Sequence, residues 1–158
     1  MTTAQWWISV IGMLITIIGV FFAAIQVHYL KQQMQKQNDW NKKNATFLYI
    51  EQWIKKHKEI NDNIFSIMAT NKSIIKNPKH FLDENKFKIF NIVSYFEYLA
   101  IGINENYFDE KVTRLMLYNV IIQTFNNLNA INYFEYRQNE TGREVGSHFR
   151  QLAEKWIQ

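Results

Sequence analysis

Residues 6–25 read WWISVIGMLITIIGVFFAAI, twenty consecutive residues that are all apolar or small. No Asp, Glu, Lys or Arg occurs anywhere between Met1 and Leu30. Because an α-helix rises about 1.5 Å per residue, roughly twenty such residues cross the ~30 Å hydrocarbon core of a bilayer. A helix also satisfies its backbone hydrogen bonds internally, which lipid requires of a single span. The sequence therefore predicts a transmembrane anchor over residues 1–30.

The two ends of the predicted span are marked by aromatic rings and by charge. Trp6 and Trp7 lie at one end and Tyr29 near the other, where amphipathic rings prefer the membrane interface. The leader before Trp6 has no basic side chain and the apolar run is long for a signal peptide, so we expect a retained anchor. Lysines follow the span at Lys31, Lys36, Lys42 and Lys43. By the positive-inside rule, we expect the N-terminus outside and the body in the cytoplasm, with a single pass.

A stripe of small and polar residues follows the span at alternating spacings of four and three. We name this stripe the seam, and it consists of Gln5, Ser9, Gly12, Thr16, Gly19, Ala23 and Gln26. Small residues let helix backbones approach closely in lipid, and polar residues tend to face protein or water. The seam predicts self-association of single spans, with its members at the helix contact or lining a channel. The alternative is that such residues recur in membrane helices by chance.

The remainder of the chain has the composition of one helical domain. The protein has 158 residues, and the part after the span is long enough for its own core. It has no cysteine, which excludes disulfides and thiolate metal sites. The net charge of +4 suits an anionic inner leaflet or some RNA contact and demonstrates neither. We find no phosphate-binding loop, nucleophile motif or histidine pair with metal-ligand spacing, and so expect no metal and no cofactor.

Apolar periodicity predicts an all-α body of four or five helices. Residues 31–58 predict a helical stalk that continues the span, although their Gln-, Lys- and Asn-rich start also fits a flexible linker. Residues 59–158 predict a cytoplasmic helical bundle. Its clearest core-facing stripe consists of Ile89, Ile92, Val93, Phe96, Leu99, Ala100 and Ile103.

The segments between the predicted helices carry their own signals. Residues 71–79 predict a loop, and Asp109 is placed to cap the helix that follows it. That helix and the helix with the core-facing stripe are expected to pair antiparallel across a short turn. Thr141 with Glu144 three residues later predicts a capping box at the start of the last helix.

One constellation carries candidate chemistry. Arg143 is followed by four residues and then by His148, near the start of the predicted last helix. This spacing resembles the RX4-6H motif of HEPN domains, helical bundles that often act as metal-independent ribonucleases. The resemblance implies that His148 moves a proton while an RNA 2′-hydroxyl attacks its phosphate, and that Arg143 stabilises the phosphorane charge. A helix N-terminus would add amide donors for the anion.

Two features favour a different role for the same pair. Residues five apart on a regular helix diverge by about 140°, so convergence needs a bend near Gly142 or Gly146, or pairing across a dimer. Active HEPN motifs usually carry a small polar residue after the arginine, whereas this chain has Glu144, whose charge repels phosphate. The alternative interpretation makes Arg143 and His148 structural residues that bind neighbouring carboxylates or carbonyls.

The layout of the whole chain, an anchor, a helical body and a C-terminal RX4H motif, resembles the small HEPN-like membrane accessory proteins of type VI-B CRISPR systems. Residues 91–102, NIVSYFEYLAIG, also resemble a broad group of bacterial membrane-anchored proteins. The resemblance implies antiphage defence by a homo-oligomeric pore that depolarises the bacterial inner membrane and enhances an RNA-guided, RNA-cleaving effector. The expected partners are other copies of the chain, the lipid bilayer and, functionally, that effector, with RNA as a further possibility. The rival hypotheses are a membrane-tethered HEPN ribonuclease and an inert adaptor.

Overall fold

The computed structural model of the chain describes residues 2–70 and 73–158. Most of these residues are helical, and no strand occurs among them. The described part contains seven helices in the order α1 (Thr3–Lys56), α2 (Lys58–Thr70), α3 (Ser73–Lys76), α4 (Lys79–Asn104), α5 (Glu110–Ala130), α6 (Tyr133–Thr141) and α7 (Ser147–Ile157). The expected all-α fold with one long apolar N-terminal helix is confirmed.

The chain divides into two compact units, residues 1–41 and residues 42–158. The first unit contains the predicted span, and residues 3–30 of that span lie within the 54-residue helix α1. The most apolar 18-residue window of α1 has a mean hydropathy of 2.7, and none of it is buried. Within the described ranges, α1 is the one helix that is long and apolar enough to cross a membrane.

The second unit is a helical bundle around one apolar core. The stripe predicted on α4 is buried throughout, because none of its seven side chains is more than 8% exposed. α7 packs against both α4 and α5, whereas the predicted antiparallel pairing of α4 with α5 along their lengths is wrong. The physical reason is that both α4 and α5 are needed to bury the apolar face of α7. This face consists of Phe149, Leu152, Ala153 and Trp156.

The end of α1 contributes to the core of this second unit. Thr46, Ile50 and Trp53 are buried, and the ring centroids of Trp53 and Phe96 lie 4.5 Å apart. Large rings that interlock in this way supply much of the buried apolar area of a small bundle. The predicted boundaries of the span, stalk and bundle, at residues 30 and 58, stay predictions.

Two predicted connections can be compared with the structure. Asp109 caps α5 as expected, because its Oδ1 accepts a hydrogen bond of 3.0 Å from the Val112 amide. The Asp109 amide in turn donates to Thr46 Oγ1 at 2.8 Å, which fixes this turn to α1. The predicted loop over residues 71–79 is wrong in part, because residues 73–76 form the short helix α3. Residues 71–72 of that loop lie outside the described residues.

Candidate functional site at the start of the last helix

The connection between α6 and α7 separates the two residues of the RX4H motif. Gly142 and Gly146 both have positive φ angles, 66° and 70°, which a residue with a side chain rarely adopts. They turn the chain, so that α7 begins only at Ser147. Arg143 therefore lies exposed in the connecting loop, and His148 lies half-buried in the first turn of α7. The two residues are not on one regular helix.

The predicted capping box is wrong for the same reason. Thr141 is the last residue of α6, where its hydroxyl donates to the carbonyl of Arg137 at 2.8 Å. Glu144 is exposed and lies 3.7 Å from Arg150 in an ion pair, rather than reaching back to an amide. Because both glycines bend the backbone, the residues between Thr141 and Ser147 cannot form a first helical turn.

A carboxylate from another helix caps α7 instead. Glu97 on α4 accepts hydrogen bonds from the amides of His148 at 3.2 Å and Phe149 at 2.8 Å. These amides belong to the first turn, whose donors have no partner within their own helix. A negative charge at this end also complements the helix dipole. Glu97 thus supplies the cap that local sequence does not.

The same carboxylate orients the ring of His148. Oε1 of Glu97 lies 2.8 Å from Nδ1 of His148, and the His148 side chain is 44% exposed. A carboxylate only accepts hydrogen bonds, so Nδ1 carries the shared proton and Nε2 is the acceptor of the neutral ring. An imidazole held in this way, with its second nitrogen available, has the geometry of a general base.

Three features of this site oppose the binding of a phosphate. The α7 amides that would receive an anion already bind Glu97, so a phosphate would have to displace a carboxylate. Within the described residues, no hydrogen bond or ion pair of the Arg143 side chain with His148 or Glu97 holds this cation at the site. Glu144 adds a negative charge to the connecting loop. As it stands, the arrangement orients His148 without gathering cations around it.

The signal that would have identified Glu97 from sequence is weak. Glu97 is a carboxylate beside the core-facing stripe of α4, and its side chain is only 21% exposed. A charged side chain that is largely buried needs a hydrogen-bond donor or an opposite charge as its partner. Its partners lie 51 and 52 residues further along the chain, so no local pattern connects them.

The other histidines do not join this site. His28 lies on α1, His57 lies in the turn between α1 and α2, and His80 is in the first turn of α4. Burial, together with the neighbouring charge of Lys56, lowers the pKa of His57 below its ordinary value. Across residues 2–70 and 73–158, no group of three or more His, Cys, Asp or Glu side chains is placed to hold a metal ion.

The seam lies open along the first unit. All seven of its residues are exposed in the single chain. No atom lies within 4 Å of the positions that a Cβ would take at Gly12 or Gly19. The hydroxyls of Ser9 and Thr16 donate to carbonyls one turn earlier in α1, those of Gln5 at 3.1 Å and Gly12 at 2.9 Å. Contacts within the chain therefore do not account for the seam.

The fold and the long apolar helix define an all-helical protein with one helix able to span a membrane. The chain belongs to the family described as a domain of unknown function, DUF4760, whose model matches residues 13–156. That match begins inside the predicted span and includes both residues of the RX4H motif. Comparison with the curated proteins gave no match, and comparison with the solved structures gave none either.

Proposed function

We propose that this protein is an antiphage defence protein that assembles through the seam into a homo-oligomeric pore in the bacterial inner membrane. Opening of the pore depolarises the membrane and enhances an RNA-targeting CRISPR effector. The observation that carries the proposal is the exposed seam. It is a continuous row of small and polar residues on a membrane-spanning helix, and the chain itself leaves it uncovered.

The chemistry of the seam favours helix association over contact with lipid. Gly12 and Gly19 leave room for a neighbouring backbone, which stabilises association by close packing. Ser9 and Thr16 satisfy their own donors, so they pack against a neighbour without an unpaired hydroxyl. A side-chain amide such as that of Gln26 is costly in hydrocarbon unless it meets protein or water. A subunit contact or a water-filled channel supplies either partner.

The family match supports a span that stays with the body. Its model includes the second half of the span together with the helical bundle. A removable leader would not be expected inside the sequence that a domain family shares. The connection to antiphage defence and to an RNA-guided effector rests on the layout of anchor, helical body and RX4H motif, which resembles the accessory proteins of type VI-B systems.

Assembly is tested by adding bulk on the seam. The double variant Gly12→Leu with Gly19→Leu should shift the purified protein from an oligomer towards a monomer, because leucine holds the helix backbones apart. Ala24→Leu is the matched control, since it adds bulk to a small residue one position off the seam. The measurement is the oligomer mass in detergent by light scattering. An unchanged mass for the double variant would remove the seam argument.

Conduction is tested separately in liposomes. The wild-type protein should release trapped ions rapidly, the glycine double variant should not, and Thr16→Val or Gln26→Leu should change the rate of release. Ala24→Leu should resemble the wild type. Liposomes that stay tight with an inserted, oligomeric wild-type protein would contradict an open pore.

A second candidate, a membrane-tethered HEPN ribonuclease, is favoured by one observation. Glu97 orients His148 so that Nε2 is available as a base, and Arg143 lies exposed in the adjoining loop. This function predicts RNA cleavage that persists in a metal chelator and disappears in His148→Ala and in Arg143→Ala. Glu97→Gln should reduce the rate and shift the pH profile, since it acts through His148. No cleavage at high protein concentration would exclude this candidate.

A further inference from the structure

An exposed patch on α5 combines cations with apolar side chains. We name it the α5 patch, and it consists of Lys111, Arg114, Leu115 and Tyr118, which line a shallow concavity. Leu115 is 88% exposed, the highest value for a large apolar side chain in the described residues. Positions four before and three after it lie on the same side of the helix, which places Lys111 and Tyr118 beside it.

The cations of the α5 patch face no carboxylate of their own helix beyond its first residue. From Lys111 to Ala130, α5 contains no Asp or Glu. Glu110 is already engaged, because it accepts hydrogen bonds from Lys155 at 2.8 Å and from the indole of Trp156 at 3.0 Å. The patch is therefore positive as well as apolar.

Arg114 is held in place within the patch. Its guanidinium carbon lies 5.6 Å from the ring centroid of Tyr118, and one of its amino groups donates to the Trp156 carbonyl at 3.5 Å. Tyr118 in turn stacks on Trp156 with the ring centroids 6.2 Å apart. These contacts hold the guanidinium in the patch and leave most of its donors for an external acceptor.

We propose that the α5 patch binds the anionic phospholipid headgroups of the bilayer, with Leu115 entering the boundary of the acyl chains. Basic side chains near an anionic leaflet are each attracted to it, and exposed Leu, Met and Tyr side chains suit the interface between headgroups and hydrocarbon. RNA binding would instead call for bases stacked on exposed rings along a basic groove.

Membrane anchoring also favours a lipid occupant over a soluble one. The inference rests on the proposed membrane anchoring, although not on the pore. In an anchored protein, binding of the patch to lipid takes place within one protein–membrane assembly. Because tethering gives a high effective concentration of lipid, a weak site is then occupied. The two cations of the patch, too few to recruit a soluble protein stably, then act together with the anchor.

The test places one fluorescent reporter beside the patch. The natural sequence has no cysteine, so Asn119→Cys, one helical turn after Leu115, gives a single labelling site that leaves the patch intact. The full-length protein is placed in nanodiscs of phosphatidylcholine alone or with phosphatidylglycerol, and quenching of the label by iodide is measured. Phe87→Cys on α4 is the matched control, because Phe87 is 80% exposed and lies outside the patch.

We expect the label at position 119 to be shielded from iodide only in the anionic nanodiscs. Each cation neutralised, in Lys111→Gln or Arg114→Gln, should lower the population in contact with lipid about fivefold, and high salt should abolish shielding. Leu115→Gln should weaken it further, whereas the label at position 87 should stay open throughout. Folding of every variant is checked by circular dichroism.

Three results would overturn the inference. A label that iodide quenches fully in both lipids would show that the patch does not meet anionic headgroups. A label that is shielded equally in both lipids and in detergent would indicate a protein occupant such as a second copy. Failure of the chain to co-elute with nanodiscs would refute the anchoring and the patch together. Tight liposomes alone would refute only the pore.

Discussion

Glu97 connects two helices that are far apart in sequence. Its carboxylate caps α7 through two amides and holds Nδ1 of His148, so one side chain satisfies three donors. Hydrogen bonds to a charged acceptor contribute more than neutral ones, and a cap that is lost leaves buried donors unpaired. We infer that Glu97 stabilises the α4–α7 contact whether or not the site has a chemical role.

Glu97→Gln should therefore lower the free energy of unfolding by about 2 kcal/mol, because the amide keeps only one acceptor oxygen and loses the charge. The measurement is thermal unfolding of the purified protein in detergent. Glu144→Gln provides the control, since this exposed carboxylate has one distant ion pair and its loss should cost less than about 0.5 kcal/mol. Equal losses for the two variants would contradict the capping role.

The two glycines of the α6–α7 connection are expected to differ in sensitivity. Both have positive φ, but a Cβ at Gly146 would lie 3.0 Å from Val93 and 3.1 Å from Phe134, whereas Gly142 has open space. Gly142→Ala should cost about 1 kcal/mol from backbone strain alone, and Gly146→Ala about 3 kcal/mol because of the added clash. Equal decreases in unfolding temperature for the two variants would show that Val93 and Phe134 move to accommodate the added Cβ without loss of stability.

At the residue scale, sequence identified the candidates but not their arrangement. Arg143 and His148 were selected by spacing, and the structure places one in a loop and the other on a helix. Glu97 was not selected, because its partners are 51 and 52 residues away and only the packing of α4 against α7 brings them together. A spacing rule assumes one regular helix, and two glycines with positive φ remove that assumption here.

At the scale of helices, sequence predicted most of what the structure shows. The α4 stripe is buried and Asp109 caps α5, because periodicity and capping depend on neighbours within one or two turns. The pairing of α4 with α5 was wrong, since a short connection does not determine which helix fills the space between them. α7 fills it because its apolar face is complete around Phe149 and Trp156.

The attachment of α7 to α5 should depend on pH through Glu110. Hydrogen bonds from Lys155 and Trp156 lower the pKa of this carboxyl below its ordinary value of 4.5. When the pKa of a carboxyl is lower in the folded state than in the unfolded state, its charged form stabilises the fold at pH values above the unfolded-state pKa. This contribution is lost as the pH falls through the folded-state pKa. Because the Glu110 side chain is 35% exposed, we expect the loss to be below about 1 kcal/mol.

This pH dependence can be isolated with two variants. Glu110→Gln should be less stable than the wild type at neutral pH and should show a smaller further loss below pH 4.5. Lys155→Met removes the hydrogen-bond donor and keeps the apolar stem, so it should also make the unfolding temperature depend less on pH. The measurement is unfolding temperature against pH, and parallel profiles for all three proteins would refute the assignment.

At the scale of the whole molecule, the charge on either side of the span predicts one orientation. The residues before Trp6 have no Lys or Arg, whereas Lys31 and Lys36 follow the apolar run closely. Basic residues near a span stay in the cytoplasm, so the N-terminus is expected outside and the bundle inside. The proposed pore, which is functionally coupled to an RNA-guided effector, requires this orientation, because the bundle must share a compartment with the effector.

The absence of cysteine makes that orientation directly measurable. Thr3→Cys and Gln151→Cys each place one thiol at an exposed position, on either side of the apolar run at residues 6–25. On intact spheroplasts, a membrane-impermeant maleimide should label position 3, and it should label position 151 only after the membrane is opened. The reverse pattern would invert the topology and remove contact between the bundle and a cytoplasmic effector. Labelling of both positions on intact cells would show that the helix does not hold the body inside.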